Sequence, residues 1–395
     1  MSITDEQKQI VKSTAPILKE HGKEITSIFY KNMFTAHPEL LNIFNITNQK
    51  VGTQPLALAN TIYFAAENID HLDVLLPQVM LIAHKHRALR VLPEHYPIVG
   101  EHLLKAIKIF LGDQATQEIL DAWKAAYLII ADVFIKVEQQ LYEELGPDER
   151  NRDFLPFTIV KKETVASGPI VALTLVRSDH GQLHPYQPGQ YITIRIKKDD
   201  RFHNRHYSLI EPYKGQTYRI AIKDEIDHEP HGIVSTEIID HYNEGDQVLA
   251  SLPAGTFGLI PNANHHLFIA GGIGITVLSA MIQQLHQEGK SHVVTLLQCV
   301  STKEHAAFAD HLQSILPGKD QYRLYTQSQR VNQEILKEVL KADTEVYLCG
   351  SIGFMNSIEK LLTEIGQPSS KIHIEAFQPS LSIIKGVIDR PTQSI

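Results

Sequence analysis

The hydrophobic period of the chain changes once, near residue 155, and no single layer of structure accommodates both sides of that change. Up to Glu144, apolar residues recur at three- and four-residue spacing, and no strand-like alternation appears before about residue 155. From Phe157 the pattern becomes short alternating runs broken by Gly, Pro and Asp. Between the two lies EELGPDERNRD (143–153), charged and aperiodic, with a Gly-Pro pair. It marks a domain boundary. At 395 residues the chain is too long for one core and divides into two or three domains.

The first part reads as all helix. Thr4 followed three residues later by Gln7 is a capping-box signature, and Pro16 predicts a kink in the run behind it. Pro38 suits the first position of a second helix, whose buried side would be Leu40, Leu41 and Phe44. Further helices are expected over 54–68, 74–90, 96–110 and 116–144. After the boundary, six strand-like runs (157–165, 170–178, 191–198, 205–212, 218–225 and 245–253) suggest a small antiparallel barrel. LIPNANHH (259–266) breaks that pattern and marks a second boundary. Strand and helix then alternate: LFIA, VVTLLQCV, YRLYT and EVYLCG each precede a helical run, and IHIEAF closes the series. Four βα units and a last strand imply a parallel sheet. The expected fold is therefore multidomain, with an all-α domain at 1–146, an antiparallel β-barrel at 152–260 and an α/β parallel-sheet domain at 265–383.

Composition excludes several functions. The formal charge is −8 and there is no basic tract, so nucleic acid is not an expected partner. The two cysteines, Cys299 and Cys349, make no disulfide framework, which fits a reducing compartment. The N-terminus is charged within its first residues, and no apolar run reaches the ~18 residues that span a bilayer. A soluble, cytoplasmic protein is expected. Two histidine pairs, His203 with His206 and His228 with His231, have metal-like spacing, but neither has the cysteines or carboxylates to complete a tetrahedral site.

One histidine stands apart. Val79, Ile82, Ala83, His86 and Leu89 share a helix face, which places His86 in an apolar stripe, while His84 lies nearly opposite, toward water. A histidine in such a stripe is as a rule a core residue with satisfied hydrogen bonds, and this stretch alone leaves both readings open. Upstream, Tyr30, Phe44, Gln54 and Leu58 occur in that order on helix-like segments. Together with His86 they resemble the haem pocket of a bacterial globin. The resemblance implies that His86 is the proximal haem ligand, binding iron through a neutral imidazole nitrogen. It implies that Tyr30 donates a hydrogen bond to bound O2, with Gln54 beside it. Phe44 would pack on the haem face and Leu58 would restrict the distal space; whether an apolar or lipid ligand also occupies that space stays open. Tyr96, ten residues after His86, and Glu138 match positions that hydrogen-bond the proximal histidine; a carboxylate there makes the ligand more electron-donating.

The later parts carry their own signals. The turn GGIGIT (271–276) follows a buried strand and opens a helix, where backbone N–H groups and the helix dipole receive a pyrophosphate. Gln298, Cys299 and Val300 stand where the common dinucleotide fold has a ribose-binding carboxylate. RHYS (205–208), YLCG (347–350) followed by Gly353 and Phe354, and the terminal IHIEAF resemble three motifs of the ferredoxin-reductase family. That resemblance implies FAD and NAD(P)H. Arg205 would neutralise the FAD pyrophosphate, Tyr207 and Tyr191 would pack against the flavin, and Ser208 would bond the ring near N5. His206, Val234, Ser235, Ala376, Phe377, Gln378 and Pro379 complete the implied FAD set. In it GIVS (232–235) forms the pyrophosphate loop and Phe377 covers the ring. Gly271, Gly272, Ile273, Gly274, Ile275, Thr276, Val277, Cys349 and Gly350 would bind the nicotinamide nucleotide, with Cys349 beside the nicotinamide.

A bacterial-type globin ahead of such a reductase is similar to the flavohaemoglobins, and the likeness runs from about residue 2 to 379. It implies haem b, FAD and NAD(P)H as cofactors and nitric oxide dioxygenase activity: NAD(P)H reduces FAD, FAD reduces haem iron, and nitric oxide with O2 becomes nitrate. No obligatory protein partner is implied. Two other classes stay open: a haem module that binds O2 or nitric oxide with a housekeeping reductase, and a flavin reductase acting on ferric chelates, quinones or peroxides. The sequence departs from the family pattern at Val277 and Ser351, where proline is frequent, and in its AFQP ending. Ser301 and Lys303 could meet a 2′-phosphate, but no Arg cluster joins them, so NADH against NADPH stays open.

Overall fold

The computed structural model describes residues 3–44, 53–168, 170–224 and 232–377, the side chains of 53–57 excepted. These residues form two compact units. One takes the chain up to Arg152 together with Lys197–Asn204, and the other takes Asp153–Ile196 and the chain from Arg205 on. Among the described residues no helix is long and apolar enough to cross a membrane.

The first unit is helical. Helix α1 (Asp5–Ala36) starts at the expected capping box, with the Gln7 N–H donating to the Thr4 hydroxyl at 3.2 Å and the Thr4 N–H donating to the Gln7 side chain at 3.1 Å. The expected kink at Pro16 is displaced: α1 runs through Pro16 and leaves helical geometry at His21 (φ −117°, ψ 15°). The reason lies in the next residue. A Cβ on Gly22 would stand 2.6 Å from the Cβ of Ala59, so α1 bends where it crosses helix α2 (Thr53–Glu67) at backbone distance. Pro38 opens only a 3₁₀ turn, Pro38–Asn42; Leu40 is buried, whereas Leu41 and Phe44 are half-buried. Helices α3 (Leu76–Leu89), α4 (His95–Leu111) and α5 (Gln117–Glu143) lie within two residues of the periodic runs. Their apolar faces make two cores. The larger includes Ile25, Phe29, Met33, Leu103 and Trp123, and the smaller, between α2, α3 and α5, includes Ala65, Val79, Ala83 and Phe134.

After Arg152 the chain forms a six-stranded antiparallel sheet, most of which falls in the second unit. Its strands β1 (Leu155–Ala166), β2 (Ile170–Arg177), β3 (Tyr191–Lys198), β4 (Arg201–Ser208), β5 (Tyr218–Lys223) and β6 (Gln247–Ala250) lie in the order β4-β3-β6-β1-β2-β5. A bridge between Leu209, just past β4, and Ile220 on β5 joins the two edges and closes the barrel. Strand β4 starts at Arg201, four residues before the alternation is visible. Helix α6 (Ile233–His241) lies between β5 and β6 in the chain.

The unit continues with a parallel sheet of β7 (His265–Gly271), β8 (Val294–Cys299), β9 (Tyr322–Tyr325), β10 (Thr344–Cys349) and β11 (Ile372–Glu375), in the order β11-β10-β7-β8-β9. Helices α7 (Ile275–Gln287), α8 (Ala309–Ile315), α9 (Gln333–Val339) and α10 (Ile352–Glu364) intervene. The strand order reverses between β7 and β10, the place where open α/β sheets bind ligands at the carboxyl ends of their strands. Barrel and sheet share one core, in which Ile170, Ala172 and Ile210 meet Phe268, Leu278 and Met281.

His265 and His266, which as sequence belong to the boundary segment, are the first two residues of β7 and are fully buried. The His265 ring lies 2.9 Å from the Thr344 hydroxyl and 3.0 Å from that of Thr295. His266 stacks with Phe268 and Tyr347. Loss of solvent pushes both histidines down from 6.5 to about 4. Above pH 6.5 neither folded nor unfolded chain protonates them, and their contribution to stability is whole. Between 6.5 and 4 the unfolded chain alone takes up the protons, so stability falls as pH falls. From pH 6.5 to 5 each should cost roughly 2 kcal/mol. Calorimetric melting across that range should show the loss, and His266→Phe, which keeps the ring stack, should lose about 2 kcal/mol less. Equal acid sensitivity in the two proteins would refute the assignment.

Candidate functional site

The charged centre of the helical unit is built by three helices. Glu138, on α5, is 3% exposed. Its Oε1 lies 2.7 Å from Nδ1 of His86 on α3 and accepts the hydroxyl of Tyr96 on α4 at 2.6 Å. Tyr96 Oη is also 3.2 Å from His86 Nδ1. A carboxylate only accepts, so Nδ1 carries the imidazole proton and Nε2 is left as a lone-pair donor suited to a metal. Burial, and then the Glu138 charge, push the Tyr96 phenol well above its ordinary range and keep it a donor. Glu138 Oε2 is buried without a hydrogen-bond partner among the described residues. Two residues that the sequence did not single out hold this group. The Tyr127 hydroxyl donates to the Tyr96 carbonyl at 2.6 Å, and the Phe134 ring lies 5.9 Å from that of His86. Tyr127, Ala131, Phe134 and Glu138 recur at helical spacing along α5, which was the available signal. His84, expected in water, is half-buried, and desolvation lowers it to about 4.

A second group of candidate residues is aromatic. Tyr30, on α1, is 6% exposed, and its ring lies 4.7, 5.6 and 5.8 Å from those of Phe29, Phe34 and Phe44. Leu58 is half-buried against the same core. Gln54 lies on α2, but its side chain is outside the described residues. Between α2, α3 and α5 is a small apolar cavity lined by Thr61, Ala65, Val79, Ile130 and Phe134 among others; His86 and Tyr30 are not among its lining residues. A flat apolar macrocycle whose metal needs one neutral imidazole fits this donor set. Among the described residues no cluster of three or more His, Cys, Asp or Glu could hold a bare metal ion.

In the barrel, the Leu209 N–H donates to the Gln190 carbonyl at 3.0 Å, which sets the end of β4 beside the PGQY turn. The Tyr191 and His206 rings lie 4.7 Å apart, and the Thr193 hydroxyl is 2.8 Å from His206 Nδ1. Ser208 is buried, while Arg205 and Tyr207 are half-buried. Helix α6 begins at Gly232 with no side-chain cap and no acidic residue in its first turn, a favourable end for an anion. Val234 and Ser235 are buried, and the Ser235 hydroxyl donates to the Gly232 carbonyl at 3.2 Å. Ala376 is buried, while Phe377, 45% exposed past β11, offers a face that a flat ring can cover. Gln378 and Pro379 lie outside the described residues.

At the switch point, Gly271, Gly274 and Gly350 serve packing. A Cβ on Gly274 would stand 2.3 Å from the Cys349 carbonyl, and one on Gly271 or Gly350 would enter the Phe354 ring. Gly272 is different: it has φ +53° and open space where a Cβ would be, so a ligand can reach its backbone. The Ile275 and Val277 side chains are fully buried, which leaves only their backbone to meet a nucleotide, and the Thr276 hydroxyl donates to the Ile273 carbonyl at 2.8 Å. Cys349 is fully buried in the core, and burial holds its thiol well above its usual range. Gln298, in the carboxylate's place, is also fully buried; it donates to the Ala307 carbonyl and accepts from Tyr322 at 2.9 Å. Its side chain is committed to the core.

Comparison with known proteins agrees with these parts. A globin family model matches residues 27–134, and an oxidoreductase NAD-binding domain model matches 268–360. A flavohemoprotein of Halalkalibacterium halodurans is 42% identical over 403 residues, covering 96% of this chain and 98% of its own. One of Bacillus subtilis is 38% identical over 399 residues, with 96% and 98% covered. The crystal structure of a flavohemoglobin from Malassezia yamatoensis with bound FAD and heme superposes with a TM-score of 0.84 at 27% identity, covering 95% of this chain and 100% of that one. The FAD/NAD-binding domain of a nitric oxide dioxygenase from Vibrio cholerae gives 0.52 at 28% identity, over 57% of this chain and 98% of that one.

The two kinds of glycine at the switch point should respond differently to a methyl group. Gly274→Ala drives a Cβ into a backbone carbonyl and should cost about 2 kcal/mol or more. Gly272→Ala should cost about 1–2 kcal/mol, for its positive φ alone. Urea titrations of the two variants decide this, and a Gly274→Ala as stable as wild type would show that the close packing is not there.

Proposed function

The chain belongs to the flavohaemoglobin family, and from that premise we propose that it is a nitric oxide dioxygenase acting in the cytoplasm on nitric oxide, O2 and NAD(P)H. As a member it is an oxidoreductase with a haem-binding globin part and an FAD- and NAD-binding reductase part. We assign these to residues 1–146, 152–260 and 265–383. Bound there, nicotinamide, flavin and haem supply hydride donation, single-electron transfer and O2 chemistry in that order. Nitric oxide gives up three electrons on becoming nitrate and O2 takes up four, so each turnover draws one electron from NAD(P)H.

The observation that carries the reading is the pairing of a carboxylate-backed histidine with a buried phenol. Glu138 accepts a hydrogen bond from His86 Nδ1–H, which would raise the electron-donating power of Nε2 and favour O2 activation over storage. Tyr96 holds Glu138 in place. Tyr30, in an aromatic pocket that excludes water, would donate a hydrogen bond to O2, an interaction that gains strength in low dielectric. A protein that worked only at its flavin would leave Glu138 and Tyr30 without a task. On the flavin side Arg205 would pair with the pyrophosphate, the Ser208 hydroxyl would lie near the ring N5, and Tyr191, Tyr207 and Phe377 would flank the ring. The α6 N-terminus, Gly232–Ser235, would offer backbone N–H groups to the pyrophosphate, and Gly272 would let the nicotinamide nucleotide approach.

His86→Ala should abolish haem retention and leave FAD bound, because the two lie in separate cores. Haem and flavin per chain after gel filtration measure this, and full haem occupancy would exclude His86 as the essential ligand. Tyr30→Phe deletes one hydroxyl and keeps the ring. If that hydroxyl serves O2, its loss should cost on the order of 1–3 kcal/mol, a factor of about 5 to 150 in O2 release. Aerobic nitric oxide consumption at limiting O2 should fall by a similar factor, while NADH-driven reduction of an artificial flavin acceptor stays unchanged. An O2 off-rate equal to wild type would sink the role of Tyr30, and wild-type protein that makes no nitrate would defeat the dioxygenase reading.

A further inference from the structure

Strand β1 carries a lysine that the reading so far does not use. The β1–β2 register places Ile159 opposite Leu175 but Lys161 opposite Thr174, so β1 holds one extra residue, a β-bulge at Val160. Val160 stands 45% exposed. The bulge shifts the alternation by one. Lys162 therefore lies opposite Leu173, on the inner face that Ile159 and Leu175 share, where a regular strand would have put Lys161. From that face its ammonium reaches the end of α6. It donates to the carbonyls of Tyr242 at 2.6 Å, Ile239 at 2.7 Å and Ile238 at 3.3 Å. Three N–H groups meet three carbonyls, which satisfies the ammonium and gives the Ile239 and Tyr242 carbonyls a donor at the helix C-terminus; the Ile238 carbonyl also accepts the Tyr242 N–H. The bulge also turns the Lys162 N–H toward Glu244, whose carboxylate accepts it at 2.9 Å, and the Gly245 N–H donates to the Ile159 carbonyl at 2.8 Å. Helix α6 has only nine residues, and its C-terminal end is fastened to β1 through this one side chain and the loop beside it.

We propose that Lys162 is a positioning residue for the flavin nucleotide: by holding α6 at its C-terminus it aims the N–H groups of Gly232–Ser235 at the pyrophosphate. The ammonium cancels the negative end of the helix dipole, and the diphosphate occupies the positive end, so the two charges support one helix from opposite sides. The inference rests on the reading that the α6 N-terminus takes the pyrophosphate, and the test separates the two.

The full-length chain, freed of flavin, is titrated with FAD at a temperature well below its melting point. Lys162→Met keeps the aliphatic stem and should weaken FAD binding about tenfold, whereas Lys162→Arg, which keeps a cation with several donors, should stay within about threefold of wild type. Lys162→Gln gives the same measurement if the methionine variant does not fold. Ser235→Glu, which sets a negative charge at the other end of α6, should weaken FAD by more than tenfold and erase most of the further effect of Lys162→Met. If Ser235→Glu binds FAD as wild type does, the pyrophosphate reading itself fails. If Ser235→Glu weakens FAD but Lys162→Met and Lys162→Gln do not, the lysine only supports the fold and the inference is overturned. A lowered melting temperature with unchanged FAD affinity is that same negative result.

Discussion

The helical unit is organised around one buried carboxylate. A carboxyl group at 3% exposure is tolerated only where donors replace the water it has lost, and Glu138 finds two, His86 and Tyr96, on one oxygen. Each partner comes from a different helix, so the carboxylate ties α3, α4 and α5 through contacts far apart in the chain. The same contact decides chemistry. Because a carboxylate only accepts, the contact favours the His86 tautomer with its proton on Nδ1 and leaves Nε2 with a lone pair. Structure and function lean on one proton. Removing His86 would leave the carboxylate with Tyr96 alone, which predicts a cost to folding as well as to the site.

Much of this was legible in the sequence because it depends on period. The helices, the six barrel strands and the parallel strands follow from apolar spacing, and the histidine in its stripe drew attention to α3. What escaped detection depends on tertiary packing. Pro16 has a local reason to bend α1, but the bend falls at His21, because Gly22 must pass Ala59 and no local rule contains Ala59. His265 and His266 read as loop because histidine is polar, yet aromatic stacking and two threonine hydroxyls bury them at the start of β7. The bulge in β1 adds one residue to an alternating run, and FTIVKKETV shows no break in its letters. Ile275, Val277 and Cys349 were attached to the nucleotide by motif, whereas their side chains belong to the core; a motif records position along the chain and not the direction a side chain takes.

The turn between β7 and α7 shows how one short sequence serves two constraints. Gly271 and Gly274 are needed because β10 and Phe354 press against them, and Gly272 because its φ is positive and its surroundings are open. Three glycines with one appearance in the sequence thus have separate physical reasons. Two make the crevice possible and one leaves it accessible. Val277, in a position where proline is frequent in the family, is fully buried. Its contribution is apolar packing in place of the rigidity proline would give the turn. Ser351 regains some of that order differently, as the N-cap of α10, accepting the Phe354 N–H at 3.4 Å.

Burial also governs what the chain does not do. The reactive form of cysteine is the thiolate. Cys299 is pushed up to about 12 and Cys349 well above its ordinary range, in both cases first by loss of solvent. At neutral pH both are thiols, and Cys349 is out of contact with water altogether. Gln298 follows the same logic: where a carboxylate would face a ribose, a neutral amide turns inward and spends its hydrogen bonds on Ala307 and Tyr322. At the carboxyl ends of β7, β8 and β10 there is open space at Gly272, with neither a thiolate nor a carboxylate at Cys349 or Gln298. Ser301 and Lys303, just beyond the strand end, are both exposed.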